Sequence, residues 1–255
     1  MDDLSVYKKA YTVELRDSDF SKTIKLSALF GYFQDIASMA VEDLDAGITT
    51  LQERFGVTWV LIRIRADIER FPEWNEPITV ETWPQEPKKL EFERDYIVRD
   101  SQGQVLIRAV STWVLMDVAT REIRRTDVIA IKYPAIFKER ALQCRLGRLK
   151  PFGTAELAYK KVISYSDIDF NGHLNNTRYI DFIMDCFEWD KHKLYSVKSI
   201  ELSYVSEALP GEAVALYKDI SAAGEGVIYI EGQKEKDNAI LFKAQVTIEP
   251  RTEKL

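Results

Sequence analysis

One four-residue run that returns later in the chain does most to limit the fold. Asp17-Ser18-Asp19-Phe20 reappears without a gap, 150 positions on, as Asp167-Ile168-Asp169-Phe170. At the same offset Leu29 stands opposite Tyr179, Phe33 opposite Ile183 and Asp35 opposite Asp185. Three matches in four positions carry little alone. The same order of elements around both runs makes an internal duplication the better reading.

That order is read from hydrophobic spacing. Residues 9–16 alternate as a strand, and Asp17-Ser18-Asp19 breaks it. From Ser27 to Leu44, apolar residues at Leu29, Phe33, Ile36, Ala40 and Leu44 mark a helix with one buried face, and Ser27 is its expected N-cap. A shorter helix is expected over 49–55, then strands over 57–68, 78–83, 91–99 and 105–116. The turn Asp100-Ser101-Gln102-Gly103 joins the last two strands as a hairpin. The second copy reads alike: a strand over 155–166, a helix over 175–190 with Tyr179, Ile180, Ile183 and Phe187 on one face, and strands over 196–206, 212–221, 226–234 and 239–248. One helix against an antiparallel sheet, twice over, is an α+β layout. The expected domains are 1–137 and 155–255 with a linker at 138–154. Five positive charges and one negative fall within 138–150.

Composition narrows the function classes. Across 255 residues, 46% are hydrophobic and 30% charged, as in an ordinary globular protein. Lys+Arg 35 against Asp+Glu 41 gives −6, so overall charge offers no support for a nucleic-acid partner. The two cysteines, Cys144 and Cys186, form no CxxC pair, which argues against a disulfide framework or thiolate metal site and makes a reducing cytosol the expected compartment. Met1-Asp2-Asp3-Leu4 lacks the basic and apolar regions of a secretory signal. No apolar run approaches the ~20 residues that cross a bilayer. The expectation is a cytoplasmic protein with no membrane partner.

The copies diverge just after the shared run. Asn171 and His173 occupy the second copy where the first has Ser21 and Thr23, and His173 is one of only two histidines. A strand-to-helix turn holding an imidazole, carboxylates and carboxamides suits acid–base chemistry at a helix N-terminus. From spacing alone each residue also has an ordinary reading. His173 fits a cap or core-edge residue, and Asn171, Asp167 and Asp169 fit turn formers. Asn175 and Asn176 read as helix-start residues, N-capping more than catalytic. The first copy keeps the scaffold without the amide and imidazole. One chemical site is therefore expected, with the other half serving binding or support.

The stretch Asp167-Ile168-Asp169-Phe170-Asn171-Gly172-His173-Leu174-Asn175-Asn176-Thr177-Arg178-Tyr179-Ile180 resembles the DxDxNxHxNNxxYI signature of the acyl-acyl carrier protein thioesterases. Trp59-Val60, Phe71-Pro72-Glu73-Trp74, Glu81-Thr82-Trp83, Arg94-Asp95 and the run from Arg108 to Met116 resemble that family's first half, and Leu202 to Glu207 its glutamate-bearing strand. The resemblance implies two tandem hotdog domains, each an antiparallel sheet wrapped around a long central helix. It further implies hydrolysis of acyl-carrier thioesters, releasing free fatty acid and ending chain elongation. Asp169, Asn171, His173 and Glu207 would be its catalytic residues, with no cofactor and no metal. A cysteine often follows the family's glutamate, whereas Ala208 stands here, so no thiol nucleophile is available at that position. Backbone N–H groups at the start of the second helix would face the developing oxyanion. The first-half aromatics Phe30, Tyr32, Phe33, Trp59, Trp83 and Trp113 read as core, and the resemblance adds an acyl tunnel. Arg140, Arg145, Arg148 and Lys150 are either a solvated linker or a surface that steers the acidic carrier protein. A homodimer stays open. The rival readings are a hotdog acyl-CoA thioesterase, which shares the site, a hotdog dehydratase, which suits the turn and glutamate strand less well, and a non-catalytic acyl-binding hotdog protein, which would not need the Asp169/Asn171/His173 set.

Overall fold

The structure is a computed structural model in which residues 6–129 and 139–251 are described. The chain divides into two compact units, Met1–Arg145 and Leu146–Leu255. The expected boundary at 137/138 lies outside the described residues.

The first unit runs β1 (Tyr7–Thr12), α1 (Leu26–Glu42), α2 (Ile48–Phe55), β2 (Val57–Ile68), β3 (Pro77–Pro84), β4 (Phe92–Asp100), β5 (Val105–Asp117) and β6 (Ile123–Arg124). Its strands pair antiparallel in the order β1-β3-β4-β5-β2, with β6 against β5 at Leu115 and Met116. The second unit runs β7 (Glu156–Val162), α3 (Asn176–Met184), α4 (Trp189–Leu194), β8 (Tyr195–Tyr204), β9 (Ala213–Asp219), β10 (Val227–Lys234) and β11 (Ile240–Pro250). Its order, β7-β9-β10-β11-β8, is that of the first unit strand for strand, also antiparallel.

Each sheet folds onto one helix because each helix offers an apolar stripe at the 3.6-residue period. Leu29, Phe30, Phe33, Ile36, Ala37 and Ala40 of α1 are buried, and the Phe33 ring meets Tyr96 of β4 with centroids 4.9 Å apart. Tyr179, Ile180, Phe182 and Ile183 of α3 are buried likewise, with Tyr179 against Tyr204 of β8 and Phe242 of β11. This is the sheet-around-helix arrangement that the family resemblance implies.

Several expectations need correction. The N-cap of α1 is Lys25, with Ser27 already inside the helix, and no side chain caps that end. The second copy's helix stops at Met184 instead of reaching residue 190, after which the chain turns and α4 begins at Trp189. Side chains take over the carbonyls at that stop. The Tyr159 hydroxyl donates to the Phe182 carbonyl at 2.9 Å, and Lys218 Nζ donates to that of Cys186 at 2.6 Å. A cation at a helix C-terminus is also favoured by the helix dipole. β1 ends at Thr12 and β7 at Val162, earlier than their alternation suggests. In both units a short 3-10 turn follows, Leu15–Asp17 and Tyr165–Asp167. Neither β6 nor α4 is legible as a separate element in the sequence.

Asp219, at the end of β9, anchors the chain that enters the second unit. It accepts hydrogen bonds from the N–H groups of Phe152 at 2.7 Å and Gly153 at 2.6 Å, and from that of Ser221 at 2.8 Å. The hydrogen bond with the Ser221 side chain, together with those backbone donors, holds its carboxyl down at about 2, below the ordinary 3.8. A carboxylate with a depressed folded-state pKa stabilises the fold above its ordinary pKa. That stability is lost as pH falls through the folded value. The stability gap between the wild type and Asp219→Asn should therefore be full at pH 5 and shrink steadily toward pH 2. Denaturant unfolding across that range tests this, and a gap independent of pH would refute it.

Candidate active site

The site is built on the duplicated turn, and the two copies can be compared bond by bond. In the second unit the Asp169 N–H donates to the His173 carbonyl (2.9 Å), the Gly172 N–H to the Asp169 carbonyl (3.1 Å) and the Asn175 N–H to the Asp167 carbonyl (2.9 Å). In the first unit the same three bonds run from Asp19 to Thr23 (2.9 Å), from Lys22 to Asp19 (3.0 Å) and from Lys25 to Asp17 (2.8 Å). The bridge between Ile168 and Leu174 matches that between Ser18 and Ile24. Both turns need a left-handed residue at their tip. Gly172 supplies φ 79° freely, whereas Lys22 adopts φ 59° at a steric cost.

Side chains distinguish the copies. In the first, Asp19 Oδ1 accepts from both the N–H (2.8 Å) and the hydroxyl (2.6 Å) of Ser21, and that hydroxyl lies 2.8 Å from the Thr23 hydroxyl. The turn's polar groups are used up internally. In the second, among the described residues, Asp169 Oδ1 accepts only from the backbone N–H groups of Asn171 (2.9 Å) and His173 (3.2 Å). The Asn171 carboxamide has no hydrogen-bond partner among the described residues, and Asn171 is exposed.

Glu207 comes to this turn from the far end of the β8 segment. The Leu174 N–H donates to the carbonyl of the fully buried Ala208 at 3.0 Å, pinning the two chain segments together. His173 Nε2 then lies 3.5 Å from Glu207 Oε2, with both side chains partly open to solvent. Four residues expected from the sequence as site residues, Asp169, Asn171, His173 and Glu207, thus converge on one turn and the strand end beside it. Asp167 is structural. Buried at the turn's base, it closes a capping box with Ser164 and pairs with Lys161 at 3.2 Å.

Helix α3 begins directly after the turn. Asn175 is its N-cap, and its side chain accepts from the Thr177 N–H at 2.9 Å. The Arg178 N–H goes to the Asn175 carbonyl at 2.9 Å. Of the first-turn donors expected to face an oxyanion, the N–H of Asn176 is the one with no acceptor among the described residues. Cys186 does not offer a nucleophile. It is buried just beyond the C-terminal end of α3, and burial pushes its thiol up to about 12, so almost no reactive thiolate forms near neutrality. Among the described residues, no group of three or more His, Cys, Asp or Glu side chains is arranged to hold a metal ion.

Of the basic linker residues, Arg140 is not available for docking. Its guanidinium pairs with Glu93 at 2.6 Å and with the buried Asp95 at 3.1 Å. Arg145, Arg148 and Lys150 are exposed. Sequence spacing did not reveal this commitment, because Glu93 and Asp95 lie some 45 positions earlier in the chain.

Two sheets each closed on one helix, with an Asp-x-Asn-x-His turn beside a glutamate in the second, define a tandem hotdog protein. The chain belongs to the acyl-ACP thioesterase family. The family models described as acyl-ACP thioesterase N-terminal domain and C-terminal domain match residues 4–131 and 154–249. It is 27% identical over 232 residues to oleoyl-acyl carrier protein thioesterase 2, chloroplastic, of Arabidopsis thaliana, covering 84% of this chain and 63% of that protein. It is 26% identical over 219 residues to the palmitoyl-acyl carrier protein thioesterase, chloroplastic, of Gossypium hirsutum, covering 79% of this chain and 52% of that one. The chain thus spans about half to three fifths of the length of these curated relatives. In fold it is similar to an acyl-ACP thioesterase from Bacteroides thetaiotaomicron, with TM-score 0.88, 24% identity and coverage of 96% of this chain and 98% of that one. It is also similar to the 12:0-ACP thioesterase from Umbellularia californica, with TM-score 0.86, 20% identity and coverage of 98% and 99%. No helix among the described residues is long and apolar enough to cross a membrane.

Proposed function

We propose that this chain hydrolyses the thioester of acyl-acyl carrier protein, releasing free fatty acid and so ending chain elongation. The observation that carries this reading is the 3.5 Å approach of His173 to Glu207 across the signature turn of a chain matched by both family domains.

The chemistry follows from what the groups can do. Glu207 takes a proton from water, and the water oxygen attacks the thioester carbon. The carbonyl π electrons move onto oxygen as an oxyanion, stabilised by the Asn171 carboxamide and the Asn176 N–H. Collapse of the tetrahedral intermediate breaks the C–S bond. The thiolate leaves as a good leaving group and is protonated from the acid formed on Glu207, with His173 orienting the carboxylate and relaying the proton. Asp169 is the orienting carboxylate in this scheme, because its Oδ1 is committed to two backbone N–H groups that shape the turn.

The first unit, whose turn is sealed, is assigned the acyl chain. The aromatic face of α1 and β4, with Phe30, Phe33 and Tyr96 buried, suits that role. Each methylene buried there would add about 0.8 kcal/mol, so the depth available would set chain-length preference. The cytoplasm is the proposed location, since Cys144 and Cys186 are both unbridged.

An acyl-CoA thioesterase would share this site but would have no use for a protein-docking surface. Hydrolysis of matched acyl-carrier and acyl-CoA substrates separates the two, and preference for the carrier-bound substrate is expected. We assign Arg145, Arg148 and Lys150 to steering the acidic carrier. Reversing all three charges should raise KM for the carrier-bound substrate several-fold, more at low salt than high. It should leave KM for acyl-CoA within twofold. An unchanged KM for both substrates would remove the linker from the docking surface.

A further inference from the structure

The segment that carries Glu207 also has a counterpart in the first unit, and backbone bonds align the two. The Ile24 N–H donates to the Pro72 carbonyl (2.9 Å) as that of Leu174 does to Ala208 (3.0 Å). The Glu69 N–H donates to the Leu106 carbonyl (2.9 Å) as that of Val205 does to Leu241 (2.8 Å). The Glu73 N–H meets Glu76 Oε2 at 2.7 Å, as the Leu209 N–H meets Glu212 Oε2 at 3.0 Å. Phe71 therefore stands in the place of Glu207, and Glu69 and Glu73 in the places of Val205 and Leu209.

The exchange is reciprocal. The sealed copy has a ring at the centre and exposed carboxylates on both flanks. The copy with the site keeps one carboxylate, Glu207, and sets apolar side chains two residues to either side of it, Val205 at 56% exposure and Leu209 at 46%. On the turn itself Phe170, next to Asn171, is 78% exposed, whereas its counterpart Phe20 is 39% exposed. The sealed copy is also stitched across its turn. The Trp74 N–H donates to the Lys22 carbonyl at 2.8 Å, and Glu73 bridges to Thr23. Pro210 takes the place of Trp74 in the second copy and has no N–H to give. One exposed apolar residue needs no reason, but three beside the groups that would do the chemistry, two of them where the other copy has charge, mark a surface that a ligand covers.

Their position says which part of the substrate that is. An acyl chain is buried when bound, and side chains this open line the rim of a site instead of its interior. What crosses the rim is the substrate beyond the sulfur. In acyl-carrier and acyl-CoA thioesters alike this is a pantetheine arm of methylenes, amides and a geminal dimethyl group, uncharged as far as its phosphate. A neutral, half-open rim suits such an arm, whereas carboxylates at 205 and 209 would repel both the phosphate and the developing oxyanion.

We propose that Phe170, Val205 and Leu209 form an apolar collar that seats the pantetheine arm and so holds the thioester carbon against Asn171 and Glu207. This inference rests on the hydrolase reading above. The test is the triple variant Phe170→Ser, Val205→Thr and Leu209→Gln in the full chain, which removes the apolar surface without adding charge. One acyl group is presented on the carrier protein, on CoA and on N-acetylcysteamine, which keeps the sulfur and one amide but lacks the rest of the arm. KM should rise about tenfold for the carrier and CoA substrates, with kcat within twofold, and stay within twofold for the N-acetylcysteamine thioester. Should the triple variant fail to fold by thermal unfolding, Phe170→Ser alone, at the exposed tip of the turn, should give the same pattern at about threefold. Unchanged KM for carrier and CoA substrates would overturn the proposal and leave the hydrolase reading standing. So would a rise for the carrier substrate alone, which would make the collar a contact for the carrier's own surface, or an equal rise for all three. A wild type that releases thiol from neither the carrier nor the CoA substrate would bring down both readings together.

Discussion

Glu207→Gln is expected to lower kcat for acyl-carrier hydrolysis by about 10²–10⁴-fold, the range that removal of a general base usually costs. The substitution keeps the side chain's shape and its hydrogen-bonding reach toward His173 but removes the site that accepts the proton from water. KM should stay within about threefold, since the carboxylate acts on the water and not on the acyl chain. Thermal stability should change little, because the side chain is 41% exposed, three residues beyond the end of β8, and its contact with His173 is open to solvent. Steady-state kinetics with one carrier-bound substrate checks this. If kcat is unchanged, the proton acceptor lies elsewhere, and Asp169 becomes the remaining carboxylate at the turn.

The largest expected effect on stability lies away from the site. Asp95→Ala should destabilise the chain by about 3–5 kcal/mol, as removal of one member of a buried ion pair typically does. Asp95 is 0% exposed on β4 and accepts from the Ala141 N–H at 2.8 Å and from Arg140 Nε at 3.2 Å. Its burial raises its pKa, against the opposing pull of Arg140, so the carboxylate relies on these donors. Beside it the Trp83 indole donates to the Glu139 carbonyl at 3.1 Å, and these contacts together fasten residues 139–141 to the sheet. Alanine would leave the Arg140 guanidinium and the Ala141 N–H short of an acceptor. Tm should fall by roughly 10 °C or more. Asp95→Asn, which keeps an oxygen for Ala141, should cost less. A loss below about 1 kcal/mol in Asp95→Ala would mean that water replaces the carboxylate without penalty, contrary to the network described.

The sequence revealed the fold wherever periodicity was strong. The strand over 57–68 and the buried stripe of α1 follow directly from alternation and from Leu29, Phe33, Ile36 and Ala40 at helical spacing. The apolar stripe after the second turn continues to Phe187 and so implies a longer helix than the one that ends at Met184. At its end Tyr159 takes the Phe182 carbonyl and Lys218 that of Cys186, just past the last turn, and only the sheet brings these two residues there. The site was legible at the turn, where Asp169, Asn171 and His173 are neighbours in sequence. Glu207 came from family resemblance, since a glutamate at a strand end carries no local signal of its own. The commitment of Arg140 is hidden for the same reason. Charge and aromatic patterns along the chain do not say which groups will be used up by partners distant in sequence.

The duplication also provides the most direct test of where the chemistry resides. His173 and Thr23 occupy the same place on two turns with the same backbone hydrogen bonds, one next to Glu207 and the other sealed by Ser21. Hydrolysis of one acyl-carrier substrate by His173→Ala and by Thr23→Ala, measured side by side, should show turnover lost in the first and kept near the wild-type rate in the second. Turnover that survives His173→Ala, or that falls equally in both, would contradict a single site in the second unit.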